Sequence, residues 1–194
     1  MGMYISKTSA SGGVQVWQKI LETARGGFLL DVSALTAGAT LKSGTAISFD
    51  ESTRVAKAIK SAIVQADASN TATDIRVLKG HHFRVGEYIA RVAGGKAYAI
   101  TAIVYTDPVY DTITVGTTLG VALTAGDALF LSTATGATAA VSLVPNGLLY
   151  EDTDITPNVD VSVVLRGTVY ARRIPGIVAG IKAQLPLIIF SQSY

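Results

Sequence analysis

Two adjacent imidazoles, His81 and His82, are the side chains best suited to metal chemistry in this sequence, and they are its only histidines. On a strand, neighbouring residues point to opposite faces, so the pair is badly placed to close on one ion. With no cysteine in the chain, zinc would need carboxylates from elsewhere. The pair therefore reads as part of a turn or an interface. The acidic run Glu151, Asp152, Thr153 and Asp154, with Asp160 nearby, offers oxygen ligands of the kind calcium takes. It lacks the spaced EF-hand pattern and reads as a solvated loop. Asp107 and Asp111 bracket Pro108 like a carboxylate pair, but Asp-Pro followed by Tyr-Asp is ordinary turn chemistry.

Other features are weaker still. Gly94-Gly95-Lys96 approaches a phosphate loop but lacks the earlier glycine and a following Ser or Thr, so a hairpin turn is expected there. Arg172-Arg173 reads either as a solvated strand end or as a contact for a partner carboxylate. Trp17, the single tryptophan, suits an interface anchor or the core-facing position of an amphipathic helix. Tyr98, Tyr105 and Tyr110 lie close in sequence and are candidates for a sugar-binding aromatic face. The sequence contains no GxSxG elbow, P-loop or GxGxxG fingerprint. No catalytic, cofactor-binding or metal-binding residue is assigned, and the chain is read as non-enzymatic.

The elements that would position these residues are mostly strands. Val14, Trp17, Ile20, Leu21 and Ala24 recur at helical spacing and stop at Gly26-Gly27, which predicts a short helix behind a small, polar arm over residues 1–13. From Phe28 onward, short apolar runs alternate with Gly, Asp and Pro turns. Strands are expected at 28–32, 46–49, within 53–65, and at 74–78, 88–92, 98–105, 112–115, 127–132, 139–143, 160–165, 168–170 and 187–190. Ile177, Ile181 and Leu185 share a helical face behind Pro175, and Pro186 ends it. The expected class is mainly β, a barrel or sandwich with one or two short helices. The division is residues 1–27 as arm and helix and 28–194 as a β-rich domain. Leu35-Thr36-Ala37-Gly38 recurs as Leu123-Thr124-Ala125-Gly126, with a looser copy at Phe83-Arg84-Val85-Gly86. The repeat reads either as one turn reused or as two duplicated β lobes.

Apolar residues make up 49% of the 194-residue chain, aromatics 7% and charged residues 15%, against about 25% charged in ordinary soluble domains. So thinly charged a surface suits a protein that buries part of itself against other chains. A net charge of +2 without a basic run is no argument for nucleic acid. The longest apolar window, residues 185–190, is too short to cross a bilayer. A homo-oligomer is expected, with no nucleic-acid or membrane partner.

Four stretches read together resemble a known group. They are Ser43-Gly44-Thr45-Ala46-Ile47 with Asp50-Glu51-Ser52-Thr53-Arg54, then Lys79-Gly80-His81-His82-Phe83-Arg84-Val85-Gly86-Glu87, then Asn146-Gly147-Leu148-Leu149. The last is Val169-Tyr170-Ala171-Arg172-Arg173-Ile174-Pro175, followed by Ile188-Ile189-Phe190-Ser191. Over residues 28–194 they resemble the head-fibre and capsid decoration proteins of tailed phages, including those of Bacteroidales and related prophages. The resemblance implies a trimeric, β-rich structural protein on the outer face of a virion, with the major capsid protein as partner and no catalytic residues to carry over. A carbohydrate-binding or adhesive β module is the alternative.

Overall fold

The computed structural model describes residues 15–193, so the expected arm over 1–13 lies outside the described residues. Four strands come first: β1 (Trp17–Leu30), β2 (Thr40–Leu41), β3 (Ala46–Asp50) and β4 (Val55–Ala58). Six follow: β5 (Ser61–Ile63), β6 (Asp74–Leu78), β7 (Tyr88–Ala90), β8 (Ala97–Val104), β9 (Tyr110–Val115) and β10 (Ala128–Ser132). The chain then returns through β11 (Gly147–Leu149), β12 (Thr153–Asp154), β13 (Asp160–Tyr170), the single turn α1 (Ala179–Lys182) and β14 (Ile188–Ser191). The protein is mainly β, with 44% of the described residues in strands and 2% in helix.

The strands β1-β4-β3-β11-β13 form a closed five-stranded barrel, because β13 pairs with β1 as well as with β11. Along its other edge β13 changes partner. It holds β11 at Val163 and Val164, then β14 in parallel from Gly167 to Tyr170. Phe28, Leu30, Ile47, Leu149 and Val163 fill this barrel. The second sheet runs β5-β10-β7-β8-β9-β6, and its two end strands meet where Val64 bridges Val77 and Gln65 N–H donates to Arg76 O at 2.8 Å. Ile75, Val77, Phe83, Ile89, Ile100, Ile113 and Leu129 point inward there, with the alternate burial that period-two side chains impose. Each such Ile, Leu or Phe contributes about 1.5–3 kcal/mol by leaving water.

The second sheet is inserted between β4 and β11, so the first barrel is made of two distant pieces of chain. A third core welds the two units. Trp17, Leu148 and Val164 come to it from the first barrel, Ala90, Ala97 and Phe130 from the second sheet, and Ile174, Ile177, Ile181 and Leu185 from the C-terminal segment. Arg84 adds a polar tie, its guanidinium donating to Ser33 O at 3.0 Å and to Leu35 O.

Several expectations are corrected. The short helix over 14–24 is the first half of β1, apart from Val14, which lies outside the described residues. The boundary after Gly27 therefore falls inside a strand. The cause is a run of irregularities in the β1–β13 register, between Trp17/Lys19, Ile20/Glu22, Glu22/Thr23 and Ala24/Phe28. An extra residue on β1 resets which side chains face inward. Trp17, Ile20, Ala24 and Phe28 all reach a core, at spacings of three and four that imitate a helix. Residues 139–143 form no strand; they make the isolated bridge Ser132–Val141 and backbone hydrogen bonds to Gly94, Gly95 and Thr133. The C-terminal helix shrinks to one turn, with Gly180 inside it and Pro186 beyond. Residues 160–165 and 168–170 belong to one strand.

The repeat is a turn used several times. Residues 36–39, 42–45, 84–87 and 124–127 are each closed by an N–H of the fourth residue donating to the C=O of the first. The third residue is a glycine at φ +74°, +81°, +92° and +94° respectively, the left-handed value that a type II turn requires. The strands that follow two matching copies pair differently, β2 with β12 and β10 with β5 and β7. Where the fourth residue is acidic it also caps the turn: Glu87 accepts from Arg84 N–H at 2.9 Å and Asp127 from Thr124 N–H at 2.8 Å.

Candidate functional site at the seam

Where the two β units meet, the surface opens into a cleft of about 920 Å³. Its walls are the start of β1, the strand β5, residues 78–81, residues 150–152 and the segment 173–176. Past the Val64–Val77 bridge, β5 and residues 78–81 line this opening. A second cleft of about 650 Å³ shares Ile63, Leu78 and Gly176 with the first, so the two form one groove along the seam. Trp17 is buried at its base, its indole N–H donating to Tyr150 O at 2.7 Å and Ser43 Oγ at 3.1 Å. It is core-facing, as one of its two readings expected, but on a strand.

Beneath the groove lies a desolvated polar cluster. Asp111, buried on β9, accepts from Lys79 Nζ on one oxygen and faces His81 Nε2 at 3.3 Å with the other. The His81 contact lies off the line of a well-formed hydrogen bond. His81 Nδ1 accepts from Phe83 N–H at 2.9 Å, which places the imidazole proton on Nε2, toward Asp111. Burial holds this histidine below its usual pKa against the pull of Asp111. Both ring nitrogens are thus committed, and neither is free to take a proton from a bound molecule. Asp111 is accordingly not the turn residue expected from Asp-Pro spacing, whereas Asp107 is, accepting from Val109 N–H at 2.8 Å.

His82 sits in the loop before β7 at φ +57°, not on a strand, with Nε2 buried and unpaired. Burial, helped by His81, Lys60 and Arg84, pushes its pKa down to about 4. Its charged form is therefore favoured only by unfolding. Between the folded value and the ordinary 6.5 the unfolded chain holds more protons, so stability falls as pH drops through that window. The expected loss is on the order of 3 kcal/mol for a shift of this size. Urea unfolding midpoints at pH 7, 5.5 and 4.5 measure it. His82→Asn, which tolerates the left-handed backbone, is expected to flatten most of that slope; an unchanged slope would assign it to other groups.

Lys60 is deeply buried for a cation, its side chain 2% exposed, and it bonds Glu87. Desolvation lowers its pKa, opposed by that carboxylate. Sequence reasoning passed over Lys60 and Glu87 as sites and read Asp111 as a turn residue. The available signal was a lysine between Ile59 and the apolar-rich β5, three residues after which the sheet closes.

The remaining candidates are scattered. Asp152 accepts from Lys42 and from Ser43 N–H, both at 2.8 Å, and Asp154 from Thr40 at 2.8 Å, while Asp160 sits beside Gly27 on β13. Among the described residues no group of three or more His, Asp or Glu is placed to hold a metal ion. Gly94-Gly95-Lys96 is the β7–β8 hairpin turn. Arg173 donates to Gln15 O at 2.9 Å and lies over the Tyr170 ring. Of the three tyrosines, Tyr98 packs on the second core and Tyr110 lies under Arg76, leaving Tyr105 exposed. Among the described residues no helix is long and apolar enough to cross a membrane.

Fold and seam together define a mainly β protein: a closed barrel carrying an inserted sheet, with its polar chemistry buried between them. The chain matches no family model, and no curated protein or solved structure is similar to it.

Proposed function

We propose that this is a structural virion protein that decorates the outer surface of a phage capsid as a homotrimer. The observation that carries the self-association is an exposed aliphatic face on the first barrel. Leu187 and Ile189 are 56% and 64% exposed at β14, and Leu21 on β1 is 56% exposed. The two strands flank β13, where Thr168 pairs with Ile189 on one side and Lys19 on the other. β14 also ends its sheet, which leaves its outer backbone edge to a further strand. A cyclic assembly buries such a face without leaving an open end. The threefold number and the capsid partner rest on the resemblance of residues 28–194 to head-fibre and decoration proteins. In this chain several of the resembling stretches, including Ser43, residues 79–81 and Arg173, line the seam groove. Three copies facing a threefold lattice junction combine modest contacts through high effective concentration.

Light scattering at micromolar concentration is expected to return three times the 20.1 kDa chain mass. The double substitution Leu187→Lys/Ile189→Lys is expected to return one chain mass with an unchanged circular dichroism spectrum. Mixed with undecorated capsids, the native trimer is expected to bind at saturating stoichiometry. A native monomer, or no binding to any capsid, would remove the corresponding half of the reading.

A further inference from the structure

The chain carries its charge unevenly. Among the described residues, seven Lys and Arg line the seam groove, against three Asp and Glu. Three of the seven are matched by carboxylates: Lys42 by Asp152, Arg91 by Asp127 and Lys79 by Asp111. Lys19, Arg173 and Lys182 form no ion pair among the described residues. Arg173 and Lys182 are held instead over the rings of Tyr170 and Phe190, so they are positioned without being neutralised. Between these cations the groove presents the half-buried aliphatic side chains Ile63 and Leu78. A trough with apolar walls and an excess of positive charge focuses its potential on whatever enters it.

We infer that the seam groove binds an extended acidic segment of a partner polypeptide, with carboxylates on Lys19, Arg173 and Lys182 and aliphatic side chains on the floor. A polypeptide suits this groove better than a nucleic acid, because single-stranded binding relies on aromatic stacking platforms. Tyr150 is the one exposed aromatic ring along the groove among the described residues. The inference does not depend on the capsid reading, since it concerns the chemistry of the groove and holds for whichever assembly the protein joins.

The test uses the full chain and a short fluorescent peptide repeating Glu-Leu-Asp-Val, with a Lys-Leu-Lys-Val peptide and oligo-dT as comparisons. Anisotropy is expected to show binding of the acidic peptide with a micromolar Kd, weakened several-fold between about 50 and 300 mM salt as exposed charges are screened. Lys19→Glu/Lys182→Glu is expected to weaken it roughly tenfold or more. Lys57→Glu, whose site is outside the groove, is expected to leave it within about twofold. A photo-reactive version of the peptide is expected to cross-link to residues 15–20, 61–63 or 171–182. The inference is overturned by equal binding of the basic peptide, by tighter binding of oligo-dT, by equal loss in the Lys57 variant, or by cross-links elsewhere. Absence of binding overturns it equally.

Discussion

Glu87→Ala is expected to destabilise the protein by about 3–5 kcal/mol, because it removes the only carboxylate paired with a lysine that water barely reaches. Lys60 is 2% exposed at its side chain, and Glu87 is its ion-pair partner among the described residues. The same substitution uncaps the turn before β7 by leaving Arg84 N–H without its acceptor. Two further variants separate these effects. Glu87→Gln keeps a neutral acceptor and is expected to lose less. Lys60→Met/Glu87→Ala removes both charges and is expected to return near the native value, since an apolar replacement of a buried ion pair costs little. In Glu87→Ala the Lys60 pKa loses the two influences that raise it. A lysine depressed in the folded state binds fewer protons than the unfolded one, so that variant gains stability as pH rises toward the ordinary 10.5. Denaturant unfolding at pH 7 and 9.5 measures both quantities. A loss under 1 kcal/mol for Glu87→Ala would mean the ammonium finds water or another partner.

Phe130→Ala is expected to cost a further large amount, about 3–5 kcal/mol, the range for deleting a buried aromatic ring. Phe130 has no exposed surface and belongs to the core shared by the two β units, although its strand is in the inserted sheet. For a chain of this size that corresponds to roughly 6–20 °C in Tm. Scanning calorimetry is expected to show one transition for the native protein and one, lower, for the variant. The first barrel needs both β4 and β11, which flank the insertion in sequence, so it has no way to persist while the insertion disorders its ends. Two separate transitions in the native protein would show instead that the seam does not couple the units.

These two sites differ in how far the sequence announces them. Phe130 stands in an apolar run behind a Gly turn, Ala128-Leu129-Phe130-Leu131, and such a run reads as a buried strand at once. What the run does not say is that Leu129 faces the core of the inserted sheet while Phe130 faces the seam. Lys60 and Glu87 are 27 positions apart, and nothing local marks either as buried. Their pairing exists only once β5 and the turn before β7 are folded against each other. The same holds for Lys79, His81 and Asp111, since β6 and β9 must pair before the carboxylate lies between the ammonium and the imidazole.

The sequence by itself determined the class of fold and most of the strand positions from β3 to β10. Period-two burial and glycines obliged to take positive φ are local properties, each decided within a few residues. Tertiary structure alone decided the fate of residues 17–24. There the bulges imposed by pairing with β13 moved the inward positions to helical spacing, and the sheet overrode the pattern. It also decided that the chain leaves a barrel after β4 and returns to complete it at β11, because strand partners are chosen by which distant apolar faces can be buried together. The seam groove, with its unpaired cations and the neutral histidines beneath it, is a product of that second choice. Its residues come from widely separated stretches of chain, and their charge and desolvation are defined only by one another.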